Sequence, residues 1–264
     1  MSAVLPVRQV AKPWGRDALP APFAAPQGER VGEIWFEPPP QLPSLLVKYI
    51  FTSEKLSVQV HPSDAQRPGH GKEECWLIVD AEPGASLGIG FRETLNPDAL
   101  RAAALDGSIE NLMEWHPVKA GDFFFIPANT VHAIGPGVSL IEVQQNSDVT
   151  YRLYDYGRPR ELHLDQGVAV ARAEPYPAHL RGSAPLGESA RLVDGPLFRL
   201  DQVTGDGVGQ VADDYAGAPL LVIPRDASAT IGGQEIAPGQ CGLASSVHDL
   251  ALSPRGTYLL AQPL

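Results

Sequence analysis

The sequence predicts an all-β barrel with a few short helices and a second, smaller β unit behind it. Three observations predict this. Short β-rich apolar segments alternate with turn residues, prolines are spread through the whole chain, and a second set of such segments follows near the end. The chain has 264 residues, 26 of them Gly and 26 Pro. Scattered rather than repeated, those prolines suit many short strands joined by turns better than long helices.

The elements are expected in this order. Residues 1–30 are rich in Pro and Ala and poor in strand signals, which predicts a coil wrapping the core. From Gly32 onward GEIWFE, LLVKYIFT, KLSVQVHP and ECWLIVD are apolar runs bounded by Pro, Gly, Ser or Asp, and read as strands. Asn96-Pro97 is a helix start, with Asn as N-cap and Pro in the first turn. DALRAAAL favours helix and SIENLMEW a second short turn of it, giving a helical insertion at about 95–116. Strands resume at FFFIPA, SLIEVQQ and VTYRLYDY, and residues 175–190 read as a linker. FRLDQV, PLLVIP, SATIGG and TYLLAQP then give a weaker β region. The expected units are 1–180 and 185–264.

The tail echoes the first unit. GGQEIAPGQCGLASSVHDL has the layout of HPVKAGDFFFIPANTVHAI, but with Gly239 set on Gly121 the place of His132 falls on Leu250 and that of Pro127 on Ser245. His248 misses the position, so the second unit is expected to be degenerate and free of metal ligands.

Charge and cysteine content narrow the function classes. A net charge of −11 disfavours nucleic-acid binding, which needs a basic face. A small anionic substrate is compatible if a local basic pocket works against the overall field. Cys75 and Cys241 are too few and too far apart for a disulfide framework. The opening MSAVLPVRQVAKPWG lacks the apolar stretch of a signal peptide, and no run of 18 apolar residues occurs. The expectation is a cytoplasmic protein with no membrane and no nucleic-acid partner, a monomer or a homodimer.

Four clusters carry chemistry. In VQVHPSD, Gln59 and His61 stand two apart on a strand and share a face. An amide oxygen beside an imidazole suits a divalent metal, although a metal-free polar pair lining a barrel is the simpler reading of this pair alone. In GKEECW, Glu73 and Glu74 would face opposite sides of a strand, so only one can join the cluster; alone, the segment reads as a solvated turn. From Gly121 to His132, a Gly turn, an apolar strand, Pro127 and a turn-forming Asn129 aim His132 back into the barrel. This segment resembles the second cupin motif, G-x5-P-x-G-x2-H, with Asn129 where Gly is usual; a core histidine is the alternative. With Glu74 as the carboxylate, Gln59, His61, Glu74 and His132 fit zinc best, with manganese, iron or cobalt open. In EVQQNSDVTYRLYDYGR, Arg152 alternates with Tyr151 and Leu153, and an inward guanidinium is costly unless paired or used. It suits a phosphate or an enediolate, or an ion pair with Asp148 or Asp155.

LSVQVHPSD, GKEECWLIVD, GDFFFIPANTVHAI and SDVTYRLYDYGR together resemble the signature blocks of the type I mannose-6-phosphate isomerases, most of all the short bacterial form. PWGRDAL and VGEIWF resemble that form's opening blocks, and the resemblance covers residues 12–160. It implies a zinc-dependent cupin, a jelly-roll barrel, that interconverts mannose 6-phosphate and fructose 6-phosphate through a cis-enediol. It carries over the metal ligands as Gln59, His61, Glu74 and His132, the lysine of the GKxE block as Lys72 and the arginine of the TYR block as Arg152. Two departures stand out: the segment from His61 to Glu74 is short, and the last third matches weakly.

Such isomerisation moves a proton between C1 and C2 while negative charge gathers on O1 and O2. A metal and Arg152 would stabilise that charge, and Lys72 or a metal-bound water would lie on the proton path. Lys48, Lys55, Lys72 and Arg158 are available for a phosphate, with none assigned. The competing readings are another cupin metalloenzyme, such as an iron oxygenase, and a sugar-phosphate-binding cupin without catalysis. Gln59 as a fourth ligand argues against the oxygenase, whose usual triad is two His and one carboxylate.

Overall fold

A computed structural model describes residues 3–264. The strands of the first part are β1 (Val7–Arg16), β2 (Val31–Phe36), β3 (Leu45–Phe51), β4 (Val58–Val60), β5 (Glu74–Ala81) and β6 (Ser86–Phe91). After helices α1 (Pro97–Asp106) and α2 (Ile109–Leu112) come β7 (Met113–Pro117), β8 (Asp122–Ile126), β9 (His132–Ile134), β10 (Val138–Gln145) and β11 (Tyr151–Tyr154). Helix α3 (Leu164–Val170) and β12 (Arg181–Ser183) follow. These strands form two antiparallel sheets, one of seven strands in the order β1-β2-β3-β10-β5-β8-β12 and one of five in the order β11-β4-β9-β6-β7. The expected all-β cupin-type architecture is present.

Period-two alternation decides which side chains enter the barrel. On β10, Leu140 packs in the apolar filling of the barrel, while Ile141 and Val143 pack on its outer side. Glu142 lies between those two and therefore points inward. The same rule turns Lys48 inward between Val47 and Tyr49, and Glu74 and Trp76 inward on either side of Cys75. Across the barrel, Val58 and Val60 pack outward under the helices, leaving Gln59 inside.

The second part contains β13 (Ala190–Asp194), β14 (Phe198–Thr204), β15 (Leu220–Pro224), β16 (Ala229–Ile231), β17 (Gln234–Ile236), β18 (Gly242–Ala244), β19 (Leu250–Leu252) and β20 (Thr257–Pro263). They make a five-stranded sheet, β13-β14-β20-β15-β18, and a three-stranded one, β17-β16-β19. The outer face of the seven-stranded sheet and the face of the β13–β20 sheet share one apolar cluster, which includes Tyr49, Leu77 and Ile141 with Phe198, Leu221 and Leu259. That cover explains why β3 is buried at every position and reads as continuous apolar sequence. Replacing Phe198 with Ala in this shared cluster should cost about 3–5 kcal/mol. By thermal unfolding the midpoint should fall roughly 10 °C; an unchanged midpoint would mean the two parts do not depend on a common core.

Several expectations about elements need correction. Residues 7–16 are not coil: they form β1, an edge strand whose outward residues are exposed, and an edge tolerates the polar texture and Pro13 that masked it. The linker at 175–190 contributes β12, which pairs with β8 through backbone groups and needs no apolar pattern of its own. The helical insertion ends at Leu112, and Met113–Pro117 is strand, since β6 offers an open edge for it to pair with. The Asn96 cap is as expected: its side chain accepts from the Ala99 N–H at 2.8 Å. Among the described residues, no helix is long and apolar enough to cross a membrane.

Candidate metal centre and cavity

Cross-strand register gathers the site. Gln59 on β4 pairs directly with His132 on β9, and Arg152 on β11 pairs with Gln59. On the facing sheet Glu142 pairs with Lys48 on one side and Trp76 on the other, and Glu74 pairs with Gln144. His61 follows β4 by one residue and keeps the inward face of Gln59.

His61, Glu74 and His132 are buried, and their potential ligand atoms all lie within 4.8 Å of one another. Each imidazole is oriented by a backbone carbonyl. His61 Nδ1 lies 2.8 Å from the Val149 oxygen and His132 Nδ1 lies 2.9 Å from the Thr130 oxygen. A carbonyl only accepts, so each Nδ1 carries the proton and each Nε2 turns a lone pair to the centre. Burial, reinforced by the Lys72 charge, pushes the His61 pKa well below its usual value, and burial takes His132 down to about 4. Both rings are therefore neutral at pH 7, the form that binds a metal.

The His132 Nε2 lone pair stands 3.3 Å from Glu74 Oε1, and His61 Nε2 stands 3.7 Å from Oε2. Glu74 Oε1 accepts no hydrogen bond although it is buried; Oε2 lies 2.5 Å from the Lys72 ammonium, which also stands 3.3 Å from His61 Nε2. Lone pairs facing each other in a dry interior call for a cation between them. Two donors that share one zinc at tetrahedral angles, each about 2 Å from it, stand about 3.3 Å apart. The residues present thus fit a divalent metal. Of the adjacent pair, Glu74 faces this cluster and Glu73 does not belong to it.

Gln59 lies beside the same centre, its Nε2 3.3 Å from His132 Nε2 and its Oε1 accepting from the Ser57 hydroxyl at 3.1 Å. Ligation through oxygen requires the amide turned over, after which Ser57 Oγ accepts from the amide nitrogen.

Beside the cluster opens a cavity of about 290 Å³, lined among others by Gln59, Lys72, Glu142 and Arg152. Six cationic side chains line it (Arg8, Lys12, Lys48, Lys72, Arg152 and Arg160) against three carboxylates (Glu33, Glu142 and Asp148). A chain of net charge −11 has concentrated positive charge here. Arg152 makes no ion pair among the described residues. Asp155 is taken by Arg158 and Arg160, at 3.0 and 2.5 Å. Burial, with Arg160 close by, lowers the Arg152 pKa, so an anion entering the cavity would be welcome to it. Of the cations considered for a phosphate, Lys48 and Lys72 line the cavity. Lys55 is bound to Glu110, and Arg158 to Asp155 and to the Lys55 carbonyl, outside its lining.

Sequence reasoning missed Glu142. It accepts from the Trp76 indole at 3.0 Å and from Lys48 at 3.0 Å, with Lys72 3.8 Å away. Burial favours its neutral form, but the Lys48 and Lys72 charges outweigh burial and hold its carboxyl down at about 2. Burial pushes Glu74 up to about 7, with Lys72 opposing and Glu142 assisting the rise. Burial also opposes the Lys72 charge, yet Glu142 and Glu74 together raise its pKa, so it is an ammonium. The signal for Glu142 was present: a carboxylate inside the apolar run SLIEVQQ invites the question asked of Arg152.

Because the folded pKa of Glu142 is depressed, its stabilisation is complete above the unfolded value, about 4.3, and is lost as pH falls toward about 2. Glu142→Gln should cost roughly 3–5 kcal/mol at pH 7, since it leaves two buried ammonium groups short of a partner. Its stability deficit in urea should shrink below pH 4. A deficit independent of pH would show that the ionised carboxylate is not the stabilising form.

No family model matches the chain. It is 40% identical over 170 residues to the mannose-6-phosphate isomerase of Streptococcus mutans, across 58% of this chain and 52% of that protein. It is 42% identical over 144 residues to the mannose-6-phosphate isomerase ManA of Bacillus subtilis, across 50% and 45%. The chain thus spans about half the length of the curated relatives it matches. The crystal structure of the mannose 6-phosphate isomerase from Bacillus subtilis superposes with a TM-score of 0.73 at 22% identity, covering 99% of this chain and 100% of that one. In sequence over about half of its length, and in fold over nearly all of it, the chain is similar to the mannose-6-phosphate isomerases.

Proposed function

We propose that the protein interconverts mannose 6-phosphate and fructose 6-phosphate on a zinc ion held by Gln59, His61, Glu74 and His132. The observation that carries this reading is the facing of Glu74 Oε1 and the His132 Nε2 lone pair, 3.3 Å apart, at the wall of a cavity rich in positive charge. When bound, the metal supplies Lewis acidity that polarises the substrate carbonyl. The chain's own residues act at the substrate oxygens. Arg152 presents fixed donors to the oxygen on which negative charge develops, at no cost of reorganisation. Lys72, an ammonium held by two carboxylates, gives a proton to a substrate oxygen and recovers it. Glu142 keeps Lys48 and Lys72 charged and oriented, and the apolar and aromatic walls at Trp14, Trp35 and Trp76 exclude water.

The same reading takes residues 1–180 as the metal-binding unit and 185–264 as a smaller unit without ligands. Such an enzyme would work in the cytoplasm, as a monomer or homodimer, on a small sugar phosphate. The test is direct. Chelator-treated protein should leave mannose 6-phosphate unchanged, and stoichiometric zinc should restore its conversion. Zinc-loaded protein that still leaves the sugar untouched would remove the proposal.

A further inference from the structure

Asn129 replaces the glycine usual in its motif, and the structure shows it serving more than the turn. Its φ of 73° lies in the left-handed region, which glycine and asparagine tolerate best. Glycine would satisfy the backbone and leave nothing else. Asn129 is instead buried, with its side chain engaged. Its backbone N–H donates to the His61 carbonyl at 2.8 Å. Its Nδ2 donates to Gln66 Oε1 at 2.6 Å and more weakly to the same His61 carbonyl at 3.3 Å. Its own carbonyl accepts from the Arg172 N–H at 2.8 Å.

The direction of this chain of bonds is fixed from one end. Gln66 Oε1 accepts from the Ser63 backbone N–H at 2.9 Å, a donor that cannot reverse. Oxygen therefore faces Asn129, so the Asn129 amide must present nitrogen, and that nitrogen also meets the His61 carbonyl. One side chain thus ties the candidate ligand His61 to the exposed turn at 63–66. That turn opens the loop ending on Lys72 and Glu74.

We propose that Asn129 is a positioning residue: its amide clamps the 62–72 loop onto His61 and so sets how tightly the site holds its metal. This rests on the metal reading given above. Asn129→Gly keeps the turn and deletes the clamp; Gln66→Ala removes the clamp's other half and leaves the turn untouched. Three readouts are needed: hydrogen exchange of amides 63–71 in chelator-treated protein, zinc affinity by chelator competition, and the thermal midpoint without metal.

Both variants should exchange those amides about tenfold faster. Both should bind zinc about tenfold more weakly, the lower end for groups that orient a metal ligand. The metal-free midpoint should stay within a few degrees, which a merely structural role would not allow together with weakened zinc binding. The double variant should be no worse than either single one. Wild-type exchange rates and wild-type zinc affinity in Asn129→Gly would overturn the proposal. A wild-type protein that binds no zinc would instead overturn the metal reading, and the exchange measurement would still decide whether the clamp exists.

Discussion

Glu74→Gln should leave the protein without metal and without turnover. The substitution preserves shape and removes the only anion among the four candidate ligands, so a dication would face two neutral imidazoles and two amides. Zinc affinity should fall by about 100-fold or more, beyond what loss of a residue that merely orients a ligand causes. With the Lewis acid gone, a loss of about 4 kcal/mol of transition-state stabilisation is roughly a thousandfold in rate. Zinc per chain after dialysis against a chelator, and mannose 6-phosphate conversion, measure the two effects. Unfolding should not explain them. The Glu74 carboxyl is raised to about 7 by burial, so the metal-free folded state binds this proton more tightly than the unfolded chain. Its ionisation therefore lowers stability as pH climbs through that value. Lys72 loses its partner at 2.5 Å but keeps Glu142 at 3.8 Å, so Gln should cost the metal-free protein some stability without unfolding it, which its thermal midpoint without metal measures. A variant that keeps one zinc per chain would show that Glu74 is not a ligand.

Arg152→Ala should do the opposite, keeping metal and losing rate. Arg152 pairs with Gln59 through the strand backbone, and its side chain lines the cavity rather than touching the cluster. Removing one preorganised charge at a developing oxyanion typically costs 10²–10³-fold in kcat, about 3–4 kcal/mol. Arg152→Lys should recover part of it, because charge returns without the planar fork. A kcat within threefold of wild type in the Ala variant, with zinc retained, would remove Arg152 from the chemistry. A rise in KM alone would assign it to substrate binding.

Local pattern made much of this legible. Strand period put Gln59 and His61 on one face, and the Gly-strand-Pro-turn arrangement before His132 aimed it inward. The Asn96-Pro97 start of α1 also follows from local chemistry. What escaped was written in backbone pairing rather than in side chains. β1 and β12 are edge strands with exposed residues, so no apolar alternation announced them. Helix α3, a short polar-flanked segment at Leu164–Val170, has no side-chain cap and also went unseen.

The residue sequence by itself determined which groups are available to the site and which face of each strand they take, because side-chain direction follows from a repeat of two. Only the tertiary structure decided which of them meet. Glu74 was chosen over Glu73, and Glu142 joined Lys48, Lys72 and Trp76, by registers between strands far apart in the chain. Such registers are set by burying two faces of a sheet at once, and no local pattern contains both partners.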